Sequence, residues 1–282
     1  MSSTIVFIHG AWLNSRSWEN FITYFEGQGY KCIAPEWPYR DKPVEELRVN
    51  TPPELAEVGV KELVDHYEAI IRELPEPPIL IGHSFGGLIV QMLLDRGLGK
   101  VGVALDPAAP EGVRAVDWAV LKSNSGVLFK WMGWDKIMTM SFKEFQFAFV
   151  NTFPEEEQKK YYDRYVVPET GRIFFQEAFA QLDPHHAVRV NFKNKERVPL
   201  LLIAGEIDHI VPAHVVKSTY NHYKSSTAQT DFVEFDHRAH LLIAQKDWEE
   251  IADYIANWLL NQQQLITNEE VEQQLQASRE LV

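Results

Sequence analysis

The chain has 282 residues, of which 45% are hydrophobic, and a formal net charge of −13. A chain of this length buries roughly three quarters of the surface of its unfolded form, so a large core is available. The acidic balance, without any basic stripe, argues against a nucleic-acid partner. Cys32 is the single cysteine, which excludes an internal disulfide, and we expect an inert packing thiol in a buried strand. No signal peptide and no apolar run of ~18 residues is visible, so we expect a cytoplasmic protein.

Strands and helices alternate along the first 105 residues. The predicted strands are short apolar runs at 4–8, 30–34, 77–81 and 101–105. The predicted helices lie near 18–26, 56–74 and 85–96. This alternation predicts an α/β fold with a mostly parallel, doubly wound sheet and right-handed crossovers. Trp37, in the loop after the second strand, either lines a pocket or packs within that loop.

A sharp turn with a serine at its centre follows the third strand. The sequence Gly82-His83-Ser84-Phe85-Gly86 fits G-x-S-x-G, a pattern that places a nucleophilic serine between a strand and a helix. Such a turn forces the serine towards positive φ, and the flanking glycines remove side chains that would collide with it. A chance match in a glycine-rich loop is less favoured, because a strand precedes the motif and a helix follows it. Ser84 is therefore the candidate nucleophile.

Two backbone N–H groups are candidates for an oxyanion hole, the donors that stabilise the alkoxide formed during acyl transfer. One belongs to Phe85, directly after the serine, and the other to Ala11, in the loop after the first strand. Each such donor contributes about 3–4 kcal/mol to the transition state. In the same loop, we interpret His9 as a residue that fixes the loop rather than a catalyst, and Gly10 as permitting a close approach of the backbone.

Two aspartates are candidates for the carboxylate that orients a catalytic base. Asp208 lies in the loop after a continuously apolar strand at 198–204, at the strand end where catalytic groups gather in open α/β sheets. Asp106 follows an earlier strand, but its neighbour Pro107 favours a role in a turn. Glu206 is closer to the strand, and we interpret it as a residue that shapes the loop. We therefore predict Asp208 as the carboxylate.

Two histidines near the C-terminus compete for the role of catalytic base. A predicted strand at 232–235 leads into a loop that contains both His237 and His240. We favour His240, because it lies further from the strand end, where the loop can return towards Ser84. Either residue could instead be a histidine of a surface loop, since the chain has 10 of them. The order Ser84, Asp208, His240 is the order expected of an α/β-hydrolase.

The chain resembles the α/β-hydrolase superfamily over about residues 4–262. The resemblance depends on the His-Gly turn, the serine turn, the Gly-x-x-Asp loop and the final histidine. This combination is specific for the fold and for the set of catalytic residues, but not for the substrate. The sequence opens directly on the strand that carries His-Gly, which is similar to the compact branch containing plant hydroxynitrile lyases and small-ester methylesterases. Leu241 stands where the cyanohydrin enzymes of that branch carry a lysine, and the nucleophile is not the aspartate of haloalkane dehalogenases. Both differences favour ester hydrolysis.

The resemblance also implies how the chain is divided. We expect a hydrolase core at 1–110 and 198–262, a helical cap at 111–197 inserted after the strand ending near Leu105, and a polar C-terminal tail at 263–282. The cap is rich in aromatic residues and methionine, and 141–153 has a helical pattern with Phe142, Phe145 and Phe149 on one face. Most of these aromatics form the cap's own core, and some face the substrate in an apolar pocket. The tail is predicted to be a helix exposed to solvent; the alternative is that it forms a weak dimer contact.

Together these features predict a serine hydrolase that cleaves a carboxylic ester, lactone or thioester of a small to medium apolar substrate, without a cofactor. The histidines lack zinc-binding spacing and the pair His185-His186 has no companion ligand, so no metal is expected. Two alternatives stay open: a ligand receptor with slow turnover, and a C–C bond hydrolase or hydroxynitrile lyase. We expect a small-molecule substrate, no membrane or nucleic-acid partner, and a monomer or homodimer.

Overall fold

The structure, a computed structural model, describes residues 3–113 and 133–280, with side chains as far as residue 264. The strands of the central sheet and of a small separate pair are, in chain order, β1 (Thr4–Ile8), β2 (Lys31–Ile33), β3 (Ile79–His83), β4 (Val101–Leu105), β5 (Ile137–Met138), β6 (Glu169–Thr170), β7 (Leu200–Gly205) and β8 (Thr230–Phe235). The central sheet has the order β2-β1-β3-β4-β7-β8 and every neighbouring pair in it is parallel. Strands β5 and β6 pair antiparallel with each other. The predicted α/β fold with a parallel sheet is confirmed.

The helices connect these strands. In chain order they are α1 (Glu19–Gly27), α2 (Val44–Val49), α3 (Val60–Arg72), α4 (Phe85–Asp95), α5 (Phe142–Ala148), α6 (Glu155–Tyr165), α7 (Arg172–Ala178), α8 (Ala213–Tyr223) and α9 (Glu249–Glu280). The chain divides into two compact units, 1–246 and 247–282, and the second unit contains α9. Among the described residues, no helix combines the length and the apolar character that crossing a bilayer requires.

The central strands are continuous apolar runs because they are covered on both faces. Every residue of β3, β4 and β7 is buried, as expected for the interior of a parallel sheet. Strand β2 lies at the edge of the sheet, and Cys32 within it is only half-buried. The prediction of a buried strand is therefore wrong for Cys32. Its thiol is nevertheless unreactive at neutral pH, because desolvation by burial raises its pKa to about 12.

The sheet brings five loops to one edge. The strand order reverses between β1 and β3, so the loops that follow these two strands lie side by side at the carboxyl end of the sheet. The loop after β1 carries His9 to Trp12, and the turn after β3 carries Ser84. The loops after β4, β7 and β8 follow along the same edge and carry Asp106, Asp208 and His240. This edge is the place where a site can form.

The segment between β4 and β7 contains the β5–β6 pair and helices α5 to α7. Helix α5 begins with a capping box formed by Ser141 and Glu144. It ends at Ala148, five residues before the predicted end at residue 153. Hydrogen bonds to other parts of the chain replace those that would continue the helix. The Phe149 carbonyl accepts a hydrogen bond from the Leu241 N–H, and the Asn151 side chain donates one to the Ile207 carbonyl in the loop after β7. Two aromatic residues and a methionine of the predicted cap, at positions 129, 131 and 132, lie outside the described residues.

The C-terminal segment is helical, as predicted. Helix α9 continues without interruption to Glu280. Whether it is solvated or forms a dimer contact stays a prediction.

Candidate active site

Ser84 lies at the strained turn that its sequence motif predicts. Its backbone has φ 57° and ψ −123°, a region that is costly for any residue with a Cβ. The flanking glycines are required, because a Cβ at Gly82 would lie 2.2 Å from the Gly86 carbonyl oxygen. A Cβ at Gly86 would lie 2.0 Å from the carbonyl oxygen of Ile8. The turn therefore packs directly against the end of β1, and no larger residue fits at either glycine.

Hydrogen bonds hold this strained turn in place. The Ser84 N–H donates to the carbonyl of Leu105 at 2.9 Å, and its own carbonyl accepts from the N–H groups of Gly87 and Ala108 at 2.9 and 3.1 Å. Because β4, the loop after it and helix α4 contribute these partners, the surrounding structure offsets the cost of the positive φ. The serine is positioned by the sheet itself.

His240 and Asp208 form a buried pair. The Nδ1 of His240 lies 2.6 Å from Oδ2 of Asp208, and neither side chain is exposed. The other carboxylate oxygen accepts from the N–H groups of Ile210 and Val211 at 2.6 and 2.9 Å. With Nδ1–H donating to the carboxylate, the tautomer leaves Nε2 as an acceptor. That Nε2 is buried and has no hydrogen-bond partner in the part of the chain that the structure describes.

The rival histidine is placed elsewhere. The side chain of His237 is 90% exposed, and its Nδ1 lies 3.5 Å from a carboxylate oxygen of Glu206. The same oxygen accepts a hydrogen bond from the His237 N–H at 2.8 Å. Glu206 therefore holds the loop after β8, which is the structural role its position suggests. The structure brings His240, and not His237, to Asp208.

Asp106 is a buried acid beside this pair, and the predicted turn role is wrong. Its backbone has φ 42°, and its Oδ1 accepts a hydrogen bond from the Gly205 N–H at 2.7 Å, across to β7. Burial, together with the neighbouring carboxylate of Asp208, raises the pKa of Asp106 well above its ordinary value. Its Oδ2 finds no donor among the described residues. A proton on this oxygen, donated towards Asp208, satisfies both acids, and the raised pKa favours this neutral form of Asp106.

His83, the second residue of the serine motif, completes a buried polar cluster that the sequence did not suggest. Its ring lies 4.7 Å from that of His240, and its Nε2–H donates to the His240 carbonyl at 2.7 Å. Burial lowers its pKa well below the ordinary value, so it is neutral. His83, Asp106 and His240 offer ligand atoms within 4.8 Å of one another. A hydrogen-bonded cluster suits them better than a metal, because each histidine already donates a hydrogen bond and Asp106 is protonated.

The two predicted oxyanion donors remain available. Neither the Ala11 N–H nor the Phe85 N–H donates a hydrogen bond to another described residue. Phe85 begins α4, and the first N–H groups of a helix have no partner within it. The loop of Ala11 lies against the serine, since a Cβ at Gly10 would be 2.7 Å from the Cβ of Ser84. Both donors therefore flank the serine turn.

His9 fixes its own loop, as its position suggests. Its Nδ1 lies 3.0 Å from the Gly10 carbonyl oxygen, and its Nε2 lies 3.3 Å from a carboxylate oxygen of Glu36. The ring of Trp37 stacks on it at a centroid distance of 5.0 Å. Trp37 is itself buried. Of the two alternatives for this tryptophan, packing within the loops is the one that the structure supports.

Aromatic residues from the segment between β4 and β7 reach the site. Phe149 packs edge-on against the ring of His240 at 5.0 Å. Phe174 stacks on Trp12 at 5.2 Å and meets Phe85 edge-on at 5.7 Å. Phe145, by contrast, packs against aromatic residues of its own segment. The prediction left the pocket-lining aromatics unnamed; within the described part of this segment, Phe149 and Phe174 contact the site.

Three charged residues near the site carry no signal in the sequence. Arg40 and Glu169 form a fully buried ion pair beside the loop of Trp12. Glu177 of α7 accepts a hydrogen bond from the Ala109 N–H at 3.2 Å, and burial of its carboxyl group raises its pKa to about 7. In the sequence, nothing distinguishes these residues from the other charged residues of the chain. Only the fold shows that their charged groups are buried.

The fold and the site together define a class of protein. A parallel sheet with a serine turn after β3, an acid after β7 and a histidine after β8 has the architecture of an α/β-hydrolase. The family model for the alpha/beta hydrolase family matches residues 5–254. The chain belongs to this family. A search of curated proteins finds no match by sequence.

Solved structures show the same fold. A monoacylglycerol lipase from Paleococcus ferrophilus is 21% identical, with a TM-score of 0.65 over 93% of this chain and 97% of its own. An extracellular α/β-hydrolase from a Paenibacillus species, described as sharing structural and functional homology with tobacco Salicylic Acid Binding Protein 2, is 19% identical, with a TM-score of 0.66 over 90% and 98%. A methylesterase from Arabidopsis is 14% identical, with a TM-score of 0.63 over 91% and 98%. At these identities the likeness establishes the fold.

Proposed function

We propose that the protein is a serine hydrolase that cleaves a carboxylic ester, lactone or thioester of a small to medium apolar substrate. One observation carries the proposal: His240 is buried, with Nδ1 bound to Asp208 and Nε2 without a partner, at the sheet edge that carries Ser84. A histidine held in this tautomer can take the proton of a serine. Catalytic hydrogen bonds of this kind tighten when substrate binds.

The reaction proceeds through an acyl-enzyme in two balanced halves. Ser84 Oγ attacks the carbonyl carbon, its proton passes to His240 Nε2, and the electron pair of the C=O double bond moves to the oxygen. That oxyanion accepts hydrogen bonds from the Ala11 and Phe85 N–H groups. When the bond to the leaving group breaks, His240 returns the proton to the leaving atom. Water then attacks the acyl group and gives its proton to His240. When the bond between the acyl carbon and Ser84 Oγ breaks, His240 returns that proton to Oγ, and the acid leaves.

The carboxylates have separate roles in this mechanism. Asp208 is ionised and stabilises the imidazolium that forms on His240 in each half of the reaction. Asp106 remains neutral and donates its hydrogen bond to Asp208, so a single negative charge is present beside the histidine. These steps need no cofactor.

The aromatic contacts favour an apolar acyl or alcohol group. Phe149 lies against the ring of His240. Phe174 lies against Phe85, which carries one oxyanion donor, and against Trp12, the residue after the other donor. Apolar surface at these positions favours substrate atoms that lose little hydration on binding. The solved structures that share the fold include, by their names, a monoacylglycerol lipase, a polyneuridine aldehyde esterase and a methylesterase, which supports an ester as the substrate.

A panel of substrates tests the proposal. Purified protein is assayed with p-nitrophenyl esters of increasing acyl length, a thioester, a γ-lactone and a cyanohydrin, with the Ser84→Ala variant as the matched control. We expect multiple turnovers on at least one ester, with short to medium acyl chains preferred, and turnover at or near the background for Ser84→Ala. A single turnover per protein would support a receptor instead, and cleavage of the cyanohydrin alone would support a lyase.

A further inference from the structure

A buried ion pair links β6 to the loop that carries the Ala11 N–H. Arg40, in the loop after β2, pairs with Oε1 of Glu169, and neither side chain is exposed. Oε2 of the same carboxylate accepts a hydrogen bond from the Trp12 N–H at 3.1 Å. Arg40 donates in turn to the carbonyl of Leu13 at 3.1 Å. The pair therefore holds two peptide groups of one loop, the one between residues 11 and 12 and the one between residues 13 and 14.

Each peptide group of this loop has its own anchor. The Gly10 carbonyl, which shares a planar peptide group with the Ala11 N–H, accepts a hydrogen bond from the N–H three residues later. The next peptide group is held through the Trp12 N–H, which donates a hydrogen bond to Glu169. The peptide group after that is held through the Trp12 carbonyl, which accepts a hydrogen bond from the Val167 N–H at 2.9 Å. Trp12 has φ 68°, an unfavourable conformation for a residue with a Cβ. Such a conformation persists only where the surrounding contacts enforce it.

We propose that Glu169 is a positioning residue for the oxyanion hole: it holds the loop so that the Ala11 N–H points to the oxyanion that forms beside Ser84. The inference rests on the proposed function and deepens it. Oxyanion donors act only within a narrow range, about 2.7–3.1 Å from the developing charge, so a small shift of the loop weakens them. Arg40 neutralises the carboxylate, whose bare charge would otherwise repel the oxyanion.

The test removes the pair as a unit, with Arg40→Met and Glu169→Met together. Removing one partner leaves a buried, unpaired charge, whereas exchanging both for apolar residues commonly preserves the fold. The measurements are kcat and KM on p-nitrophenyl butyrate, the Ki of octyl trifluoromethyl ketone, and Tm. The ketone adds to a serine and forms an oxyanion, so it reports on the hole. We expect kcat to fall about 10²-fold and Ki to rise by a similar factor, with little change in KM. Tm is expected to fall moderately, because the Trp12 N–H and the Leu13 carbonyl lose buried partners.

A second variant removes the other anchor without changing charge. Val167→Pro deletes the N–H that the Trp12 carbonyl accepts, and it keeps an apolar residue in place. The preceding residue, Val166, already has φ −79° and ψ 124°, a conformation that suits the residue before proline. We expect the same joint change in kcat and Ki, so the proposal is tested even if the double variant does not fold.

The control is a second ion pair that joins the same two parts of the chain but whose side chains bond to none of the peptide groups between Gly10 and Leu13. Glu19→Gln with Arg164→Gln removes that pair, and we expect wild-type kcat and Ki. The proposal is overturned if the folded variants keep the wild-type kcat and Ki, or if kcat falls while Ki does not change. Both of these outcomes would leave the proposed function intact. Wild-type protein that neither hydrolyses the ester nor binds the ketone would overturn the proposed function as well.

Discussion

Replacing His240 by alanine is expected to lower ester turnover by about 10⁴-fold or more, while His237→Ala stays within a few-fold of wild type. His240 is buried and its Nδ1 is held by Asp208 at 2.6 Å, whereas the side chain of His237 is 90% exposed. Without the imidazole, nothing in the site takes the proton of Ser84. The measurement is kcat/KM of both purified variants on one ester.

Circular dichroism of both variants provides the control for folding. His237→Ala is the matched control variant, since it changes the same residue type in the same loop. An inactive, folded His237→Ala with an active His240→Ala would show that the loop after β8 presents the other histidine to the serine.

The second prediction separates the two acids. Asp208→Asn is expected to lower turnover by about 10⁴-fold, because an amide in place of the carboxylate favours the wrong tautomer of His240 and cannot stabilise its charged form. Asp106→Asn is expected to stay within about tenfold of wild type. An amide reproduces a neutral acid: its oxygen can accept from the Gly205 N–H, as Oδ1 does now, and its NH₂ can donate to Asp208.

Asp106→Ala extends this comparison. Alanine offers neither the acceptor nor the donor, so the N–H of Gly205 and one side of Asp208 lose a partner in a buried place, and we expect a larger loss than for Asp106→Asn. The measurements are kcat/KM and Tm of the three variants on one ester. If Asp106→Asn were the inactive variant and Asp208→Asn were not, Asp106 would be the ionised acid and the neutral assignment would be wrong.

The sequence predicts those parts of the fold and site that depend on local pattern. Continuous apolar runs identify β1, β3, β4 and β7, because strands covered on both faces have no polar face to show. The glycines around Ser84 identify the turn by their spacing alone. A Cβ at Gly82 would collide within the turn, 2.2 Å from the Gly86 carbonyl oxygen, whereas a Cβ at Gly86 would collide with Ile8 of β1, a contact that only the fold shows. The choice of His240 over His237 follows from how far a loop must extend to return over the sheet.

Other features depend on contacts between distant residues, and no local pattern indicates them. Glu169 and Arg40 are ordinary charged residues in sequence, and only their burial together makes them an anchor for the loop of Trp12. The raised pKa of Asp106 depends on its burial and on the carboxylate of Asp208, which is distant in sequence. Helix α5 ends early because hydrogen bonds from the loops after β7 and β8 engage the residues that would have continued it.

Covalent labelling of Ser84 tests the central claim most directly. An activated serine attacks the phosphorus of a fluorophosphonate as it attacks a carbonyl carbon, so the purified protein is treated with such a probe, digested and analysed by mass spectrometry. We predict one adduct, on Ser84 in the peptide that contains Gly82 to Gly86, with labelling abolished in Ser84→Ala and strongly slowed in His240→Ala. A folded wild-type protein that stays unlabelled, or that carries the adduct on another residue, would contradict the account.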